Sequence, residues 1–397
     1  MSRVGALSLR RLSALLIALA VPFAFGSCQS IAGIDDRELG PCSHFCDVVM
    51  RNCAGDNLVY ETRDKCMGVC KLYPVGDSNE WQGKNTLECR LHEAELAATA
   101  AEEEVSNFCR SAGPEGIDCG GECQNYCYLY EKTCGSVQCG STSNCVSKCP
   151  ALRNRGKYNV FDDYEGNSIQ CRFVHLSNAS VSDTQKHCGH ANLSTPTDHC
   201  TDVPDTDEGV AGASSSGEAS PVKPSEPDCA QYCQVNGVSC GTTQYESRDQ
   251  CLALCKFLPV GEFSDTNQNT LGCRIYHSYN SLCAPEQHCP HSGPSGEGHC
   301  GTTPQDKCLA YCTLAKGICP SQYSTAFQDD DDACAANCAQ LPDALPAEEG
   351  PTRYTTTYAA TPGTVACRFL ALSRAAEDIN RADCANAFGG GICAPPP

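Results

Sequence analysis

The chain has 397 residues, 35 of them cysteine, with 48 acidic against 28 basic side chains and a formal net charge of −20 at pH 7. Such cysteine density marks a disulfide scaffold of an oxidising compartment. The acidic balance excludes a nucleic-acid partner, whose phosphates it would repel. No two cysteines lie three apart, so the C-x-x-C pairs of structural zinc sites, thioredoxin-like centres and c-type haem attachment are excluded as well.

Residues 1–27 read as an export signal. Arg3, Arg10 and Arg11 precede an apolar run from Ala14 to Phe25, which is too short to cross a bilayer as a mature helix. Gly26-Ser27-Cys28 then has the form of a lipobox, so Cys28 is the expected lipidation site, although Phe25 stands where an aliphatic residue is usual. The rival is plain cleavage after Gly26. Loss of residues 1–27 removes three Arg and no acid, which leaves a mature chain of about −23. Residues 28–40 would form a tether.

Four tandem modules follow, at 41–121, 122–202, 228–302 and 303–397. Each opens with C-x3-C-x6-C: Cys42, Cys46 and Cys53; Cys123, Cys127 and Cys134; Cys229, Cys233 and Cys240; Cys308, Cys312 and Cys319. A second C-x3-C comes next: Cys66 and Cys70, Cys145 and Cys149, Cys251 and Cys255, Cys334 and Cys338. A Cys-Arg pair follows at Cys89, Cys171, Cys273 and Cys367. Two cysteines close each copy: Cys109 and Cys119, Cys188 and Cys200, Cys289 and Cys300, Cys384 and Cys393. Four recurrences in one order establish an internal repeat.

The spacing is helical. Cysteines at offsets 0, 4 and 11 fall on one stripe of a helix, and the second C-x3-C again puts two thiols on one face. Ser247 to Gln250 has the pattern of a capping box, and Asp329 to Asp332 place negative charge before the corresponding helix of module four. A third helix is expected from Asn85-Thr86-Leu87, Asn167-Ser168-Ile169, Asn269-Thr270-Leu271 and Gly363-Thr364-Val365. The fold class is therefore mainly α, small and disulfide-rich: four tandem three-helix modules, each a helical hairpin plus a third helix and a looped tail. Cores this small need staples.

An antiparallel hairpin permits Cys42–Cys70 with Cys46–Cys66, or Cys46–Cys70 with Cys53–Cys66. The second is expected, leaving Cys42 for Cys89 and Cys109 for Cys119. Beyond the framework, Cys139 and Cys283 are a candidate clamp between the two halves of the chain. Residues 203–227, rich in Ser, Gly, Pro, Asp and Glu, read as a flexible linker between those halves.

Histidines are the sharpest chemical feature. Module two carries His175, His187, His190 and His199, and module three carries His277, His288, His291 and His299. The register is identical in both. One stands four after the Cys-Arg cysteine, one before and one two after the seventh cysteine, and one before the eighth. If each tail folds back on its third helix, the sets converge into sites suited to Zn²⁺, Cu²⁺ or haem iron. The bland reading is polar residues inherited by sister repeats. Module one keeps only His92, out of register, and module four has none of the set. The arginine of the Cys-Arg pair recurs in every copy, so a buried structural role outweighs an anion site.

No H-E-x-x-H or P-loop is present, and oxidised thiols leave no cysteine nucleophile. A non-enzymatic protein is expected.

Residues 28–40, Cys-Gln-Ser-Ile-Ala-Gly-Ile-Asp-Asp-Arg-Glu-Leu-Gly, resemble the leader junction of predicted myxobacterial lipoproteins. The modules, with tails such as His288-Cys-Pro-His-Ser-Gly-Pro294, resemble cysteine-rich repeats of the same uncharacterised group. The twin C-x3-C hairpin is also similar to that of small mitochondrial Tim chaperones, but the leader, the size and the extra cysteines argue against that family. The resemblance implies a bacterial cell-envelope protein, lipid-anchored to the outer membrane or cell surface. On this reading the repeats are a structural or interaction scaffold for an extracellular partner. The alternatives are a metal- or haem-binding protein using modules two and three, and a secreted inhibitor.

Overall fold

A computed structural model describes residues 40–202 except 80, 226–300, 307–342, 354–378 except 358 and 360, and 381–395. The expected export signal, the expected lipidation site Cys28, most of the expected tether and nearly all of the expected 203–227 linker lie outside the described residues.

Helices alone build the described residues, and the same order recurs four times. Module one contains α1 (Pro41–Asn52), α2 (Arg63–Cys70), α3 (Leu87–Leu96) and α4 (Glu102–Ala112). Module two contains α5 (Glu122–Cys134), α6 (Thr142–Lys148), α7 (Ile169–Ala179) and α8 (Thr184–His190). Module three contains α9 (Cys229–Cys240), α10 (Arg248–Cys255), α11 (Leu271–Asn280) and α12 (Pro285–Ser292). Module four contains α13 (Lys307–Ile318), an additional α14 (Pro320–Phe327), α15 (Asp331–Cys338), α16 (Val365–Glu377) and the single turn α17 (Cys384–Ala387). The tail thus begins with a short helix that carries the seventh cysteine or starts on it. No described helix is long and apolar enough to cross a membrane.

Local sequence explains the helix starts. The hydroxyls of Thr86, Ser168, Thr270 and Thr364 accept from the amide of each Cys-Arg cysteine, capping the third helix of every module. Thr62, Ser141 and Ser247 cap the second helix, and Asp330 does the same in module four.

The disulfides correct the expected pairing. Cys42 bonds Cys70, Cys46 bonds Cys66, Cys53 bonds Cys109 and Cys89 bonds Cys119. The same pattern holds at 123–149, 127–145, 134–188 and 171–200. It holds again at 229–255, 233–251, 240–289 and 273–300, and at 308–338, 312–334, 319–384 and 367–393. The reason is geometric. At 1.5 Å per residue, Cys42 and Cys46 are separated along α1 by about 6 Å, the same rise as Cys66 to Cys70 on α2. Pairing Cys46 and Cys53 with those two would set a rise of about 10.5 Å against about 6 Å. Short antiparallel helices cannot absorb that while keeping both bonded Cα pairs near 6 Å. Cys53, on the same stripe, is left to reach α4.

Each core is centred on the aromatic that precedes the second cysteine. Phe45, Tyr126, Tyr232 and Tyr311 are all fully buried. The three tyrosines donate their hydroxyls to Ala191, Ser292 and Ala387 carbonyls, each three residues after the seventh cysteine. The arginines of the Cys-Arg pairs are likewise inside: Arg90, Arg172 and Arg274 have no exposed surface. Arg172 donates to the carbonyls of Ser168, Asn192 and Leu193. Arg274 donates to those of Thr270, Gly293 and Pro294 and to Asn269 Oδ1. These guanidiniums tie the third helix to the tail.

Modules pack on one another. Gly68 of α2 faces Ser180 so closely that a Cβ there would stand 2.4 Å from its Oγ. Modules two and three meet through Arg153, which donates to the Gln231 side-chain oxygen, and through Lys148 Nζ, which donates to the Val238 carbonyl at 2.8 Å. Cys139 and Cys283 are bonded to each other, and among the described residues this disulfide alone crosses between modules.

Candidate metal centres

Each histidine set is assembled by the framework. In module two, His175 lies on α7, four residues after Cys171. His187 and His190, three apart, share a face of α8. Between them Cys188 bonds Cys134 and holds α8 against α5. The tail then returns to Cys200, whose bond to Cys171 brings His199 beside His175.

The result is a cluster of four imidazoles. His175 Nδ1 lies 3.0 Å from His187 Nδ1 and 3.2 Å from His190 Nδ1. The His199 ring stacks on His175 with centroids 5.2 Å apart. Its Nδ1 bonds the carboxylate of Glu165, a residue that sequence reasoning passed over. Tyr164 packs its ring on both His175 and His199.

Module three repeats the arrangement. His277 on α11 places its Nδ1 3.1 Å from His288 Nδ1 on α12. His277, His291 and His299 bring one ring nitrogen each to within 4.8 Å of one another. The His291 and His299 rings approach to 4.0 Å between centroids.

The orientation of the central ring is the same in both modules. His175 Nε2 lies 3.2 Å from the Tyr164 carbonyl, and His277 Nε2 lies 3.0 Å from the Thr266 carbonyl. Each carbonyl belongs to the residue eleven positions earlier. A carbonyl can only accept, so Nε2 carries the proton and the Nδ1 lone pair faces the cluster. That backbone anchor is how metal-binding imidazoles are commonly fixed.

Burial favours the uncharged form of five of these rings. It pulls His175 down to about 2 and His190 and His277 down to about 4, with neighbouring imidazoles adding to the effect. His187 and His288 are lowered as well, again chiefly by burial. Neutral imidazoles are the form that coordinates metal.

The spacing suits one ion per cluster. Nitrogens bound at about 2.0–2.1 Å stand about 3.3 Å apart around a tetrahedral ion, and about 2.9 Å apart at adjacent corners of a tetragonal one. The observed 3.0–3.2 Å lies between these values. No porphyrin fits between nitrogens so close, so the histidine sets do not suit haem. A cleft of about 500 Å³ between the modules is lined by Asp198 and Tyr276 and gives access beside both clusters. Asp198 stands 3.6 Å from His190 Nε2, and Tyr276 packs on His277. His92 of module one belongs to neither set; it packs at a tilt against Trp81.

The comparisons with known proteins bear on the scaffold. Residues 41–126 and 225–304 match the BfoA family C-terminal domain. Over 71 residues the chain is 35% identical to the aurasperone B biosynthesis cluster protein A of Aspergillus niger. Over the same length it is 34% identical to the bifonsecin B biosynthesis cluster protein A of Aspergillus brasiliensis. Each alignment covers 18% of this chain and 22% of the relative. The chain thus spans about a fifth of the length of the curated relatives it matches. No solved structure matches. These findings overturn the resemblance to myxobacterial lipoproteins, and a bacterial-envelope or lipoprotein assignment draws no support from them. What stands is a cysteine-rich, disulfide-bonded chain of the exported kind, two segments of which are similar to the BfoA family C-terminal domain.

Proposed function

We propose that this protein is a non-enzymatic, exported binder of late divalent transition-metal ions, copper or zinc, with one centre in module two and one in module three. The observation that carries the reading is the twin arrangement of His175 and His277. Each is anchored at Nε2 by a backbone carbonyl and meets a second Nδ1 at 3.0–3.1 Å. Four imidazole donors suit both ions, and copper(II) binds such donors more tightly than zinc. The disulfides hold the donors in place before metal arrives, which reduces the ordering cost of binding.

The test is metal uptake by the full-length, oxidised protein. Titration with Zn²⁺ and with Cu²⁺ should saturate at two ions per chain. His175→Ala should abolish one, His277→Ala the other, and the double variant both. Absence of stoichiometric uptake, or uptake unchanged in the double variant, would sink the reading.

A further inference from the structure

The pocket that holds the histidines is made by the framework and recurs outside modules two and three. The side chain four residues after the Cys-Arg cysteine lies against the disulfide between that cysteine and the eighth. His175 stands so beside Cys171–Cys200 and His277 beside Cys273–Cys300, with their candidate ligand atoms within 4.8 Å. Module one builds the same triple from Glu93 beside Cys89–Cys119. The register continues: Ser111 stands where His190 and His291 stand, and Asp118 where His199 and His299 stand. Exposure follows suit. Glu93 and His277 are each 4% exposed, while Asp118 and His299 both lie at the solvent rim.

Module one therefore offers oxygen where its sisters offer nitrogen. Ser111 Oγ donates to Asp118 Oδ2 at 2.9 Å, and the Asp118 amide donates back to Ser111 Oγ. Glu93 Oε2 is buried without a hydrogen-bond partner. Leaving a buried acceptor unsatisfied is costly, and more so for a charge. Burial, with the Asp118 carboxylate adding to it, raises Glu93 to about 7. The fold does not require a carboxyl here, because module four fills the equivalent position with the fully buried Ala371. A buried acidic side chain at this place points to a cation.

We infer that module one binds a hard divalent cation, calcium foremost, through the carboxylates of Glu93 and Asp118 and the hydroxyl of Ser111. Carboxylate and hydroxyl oxygens suit calcium, magnesium and manganese rather than copper or zinc. Calcium tolerates irregular geometry and completes its shell with carbonyls and water. Two carboxylates place the affinity with that of other extracellular modules, at a Kd on the order of 10⁻⁴–10⁻³ M. The choice of pocket rests on the histidine-centre reading, but the ligands do not.

The single tryptophan supplies the probe. Trp81 packs at a tilt against His92, the neighbour of Glu93 in the chain, with ring centroids 4.0 Å apart. Tb³⁺, a luminescent hard cation, is titrated into the full-length, oxidised protein and excited through tryptophan alone. Expected is sensitised emission that Ca²⁺ displaces. Its apparent affinity should fall roughly tenfold or more in Glu93→Gln and in Asp118→Asn, a loss of about 1.4 kcal/mol. His175→Ala and His277→Ala should leave it unchanged. Circular dichroism checks that the variants fold, and the rim position of Asp118 provides a second variant remote from the core. No tryptophan-sensitised emission, or emission indifferent to both substitutions, would overturn the inference. A Tb³⁺ site present without zinc or copper uptake would support it while removing the histidine reading.

Discussion

The Nδ1 atom of His175 lies 3.0 Å from that of His187, although the two residues belong to different helices, α7 and α8. Without metal, one of these nitrogens must carry a proton for the pair to approach so closely. A metal ion would take the place of that proton, which moves to Nε2 of the same neutral ring, so binding at neutral pH should release no net proton and should weaken only where the rings begin to protonate.

The first prediction concerns apo stability. Burial holds His175 near 2 and His190 and His277 near 4, all below the unfolded value of about 6.5. A group with a depressed folded pKa charges first in the unfolded chain. Its contribution is complete above about pH 6.5 and drains away as pH falls towards 4. Glu93 acts oppositely. Raised to about 7, it contributes fully below about 4.5, and that contribution is lost as pH rises to 7. Melting temperature in chelator should therefore drop between pH 7 and pH 4.5. His175→Ala combined with His277→Ala should flatten that drop, and Glu93→Gln should steepen it.

The second prediction concerns Glu165. Its carboxylate bonds His199 Nδ1 and so orients the ring of that histidine. Losing such an outer partner typically costs ten- to a hundredfold in metal affinity. Competition with a chromophoric chelator should show Glu165→Gln weakening one centre by about that factor. The module three centre should be unaffected, as an internal control.

A third prediction concerns Arg274, which is fully buried and satisfies three carbonyls and the Asn269 side chain. Arg274→Ala strands several acceptors and should cost about 3 kcal/mol or more, read by denaturant unfolding with disulfides intact. Arg274→Lys should rescue little, because an ammonium lacks the planar fork that bridges the tail.

A fourth prediction concerns Cys139–Cys283, which links residues 144 apart. A protease site placed near residue 215 should, after cleavage, leave the two halves joined on a non-reducing gel. In Cys139→Ser combined with Cys283→Ser they should separate. The chain-entropy limit for so long a loop is about 5 kcal/mol, and the measured loss should fall below it because the intervening chain is already cross-linked.

Much of this was legible in the residues. The helical stripes of C-x3-C-x6-C, the Asn-Thr and Asn-Ser caps and the shared histidine register are short-range patterns. Three such signals fixed by helix geometry marked the repeat and picked out both histidine sets. The Glu93, Ser111 and Asp118 pocket escaped notice because its chemistry changed while its register did not. Placing module one on the histidine register would have shown it. Glu165 carried no such signal, since it sits in a loop that only the fold brings to His199.

Helix periodicity determined which cysteines share a face, for that depends on a rotation of 100° per residue and nothing further away. It did not determine which faces meet. The choice of Cys46–Cys66 over Cys46–Cys70 depends on matched rise between two helices, and Cys53–Cys109 depends on where a fourth helix returns. The same holds for the histidines. Sequence placed eight imidazoles in two identical registers. The tertiary structure alone, through the disulfides that fold each tail onto its third helix, turned registers into nitrogens 3.0–3.2 Å apart.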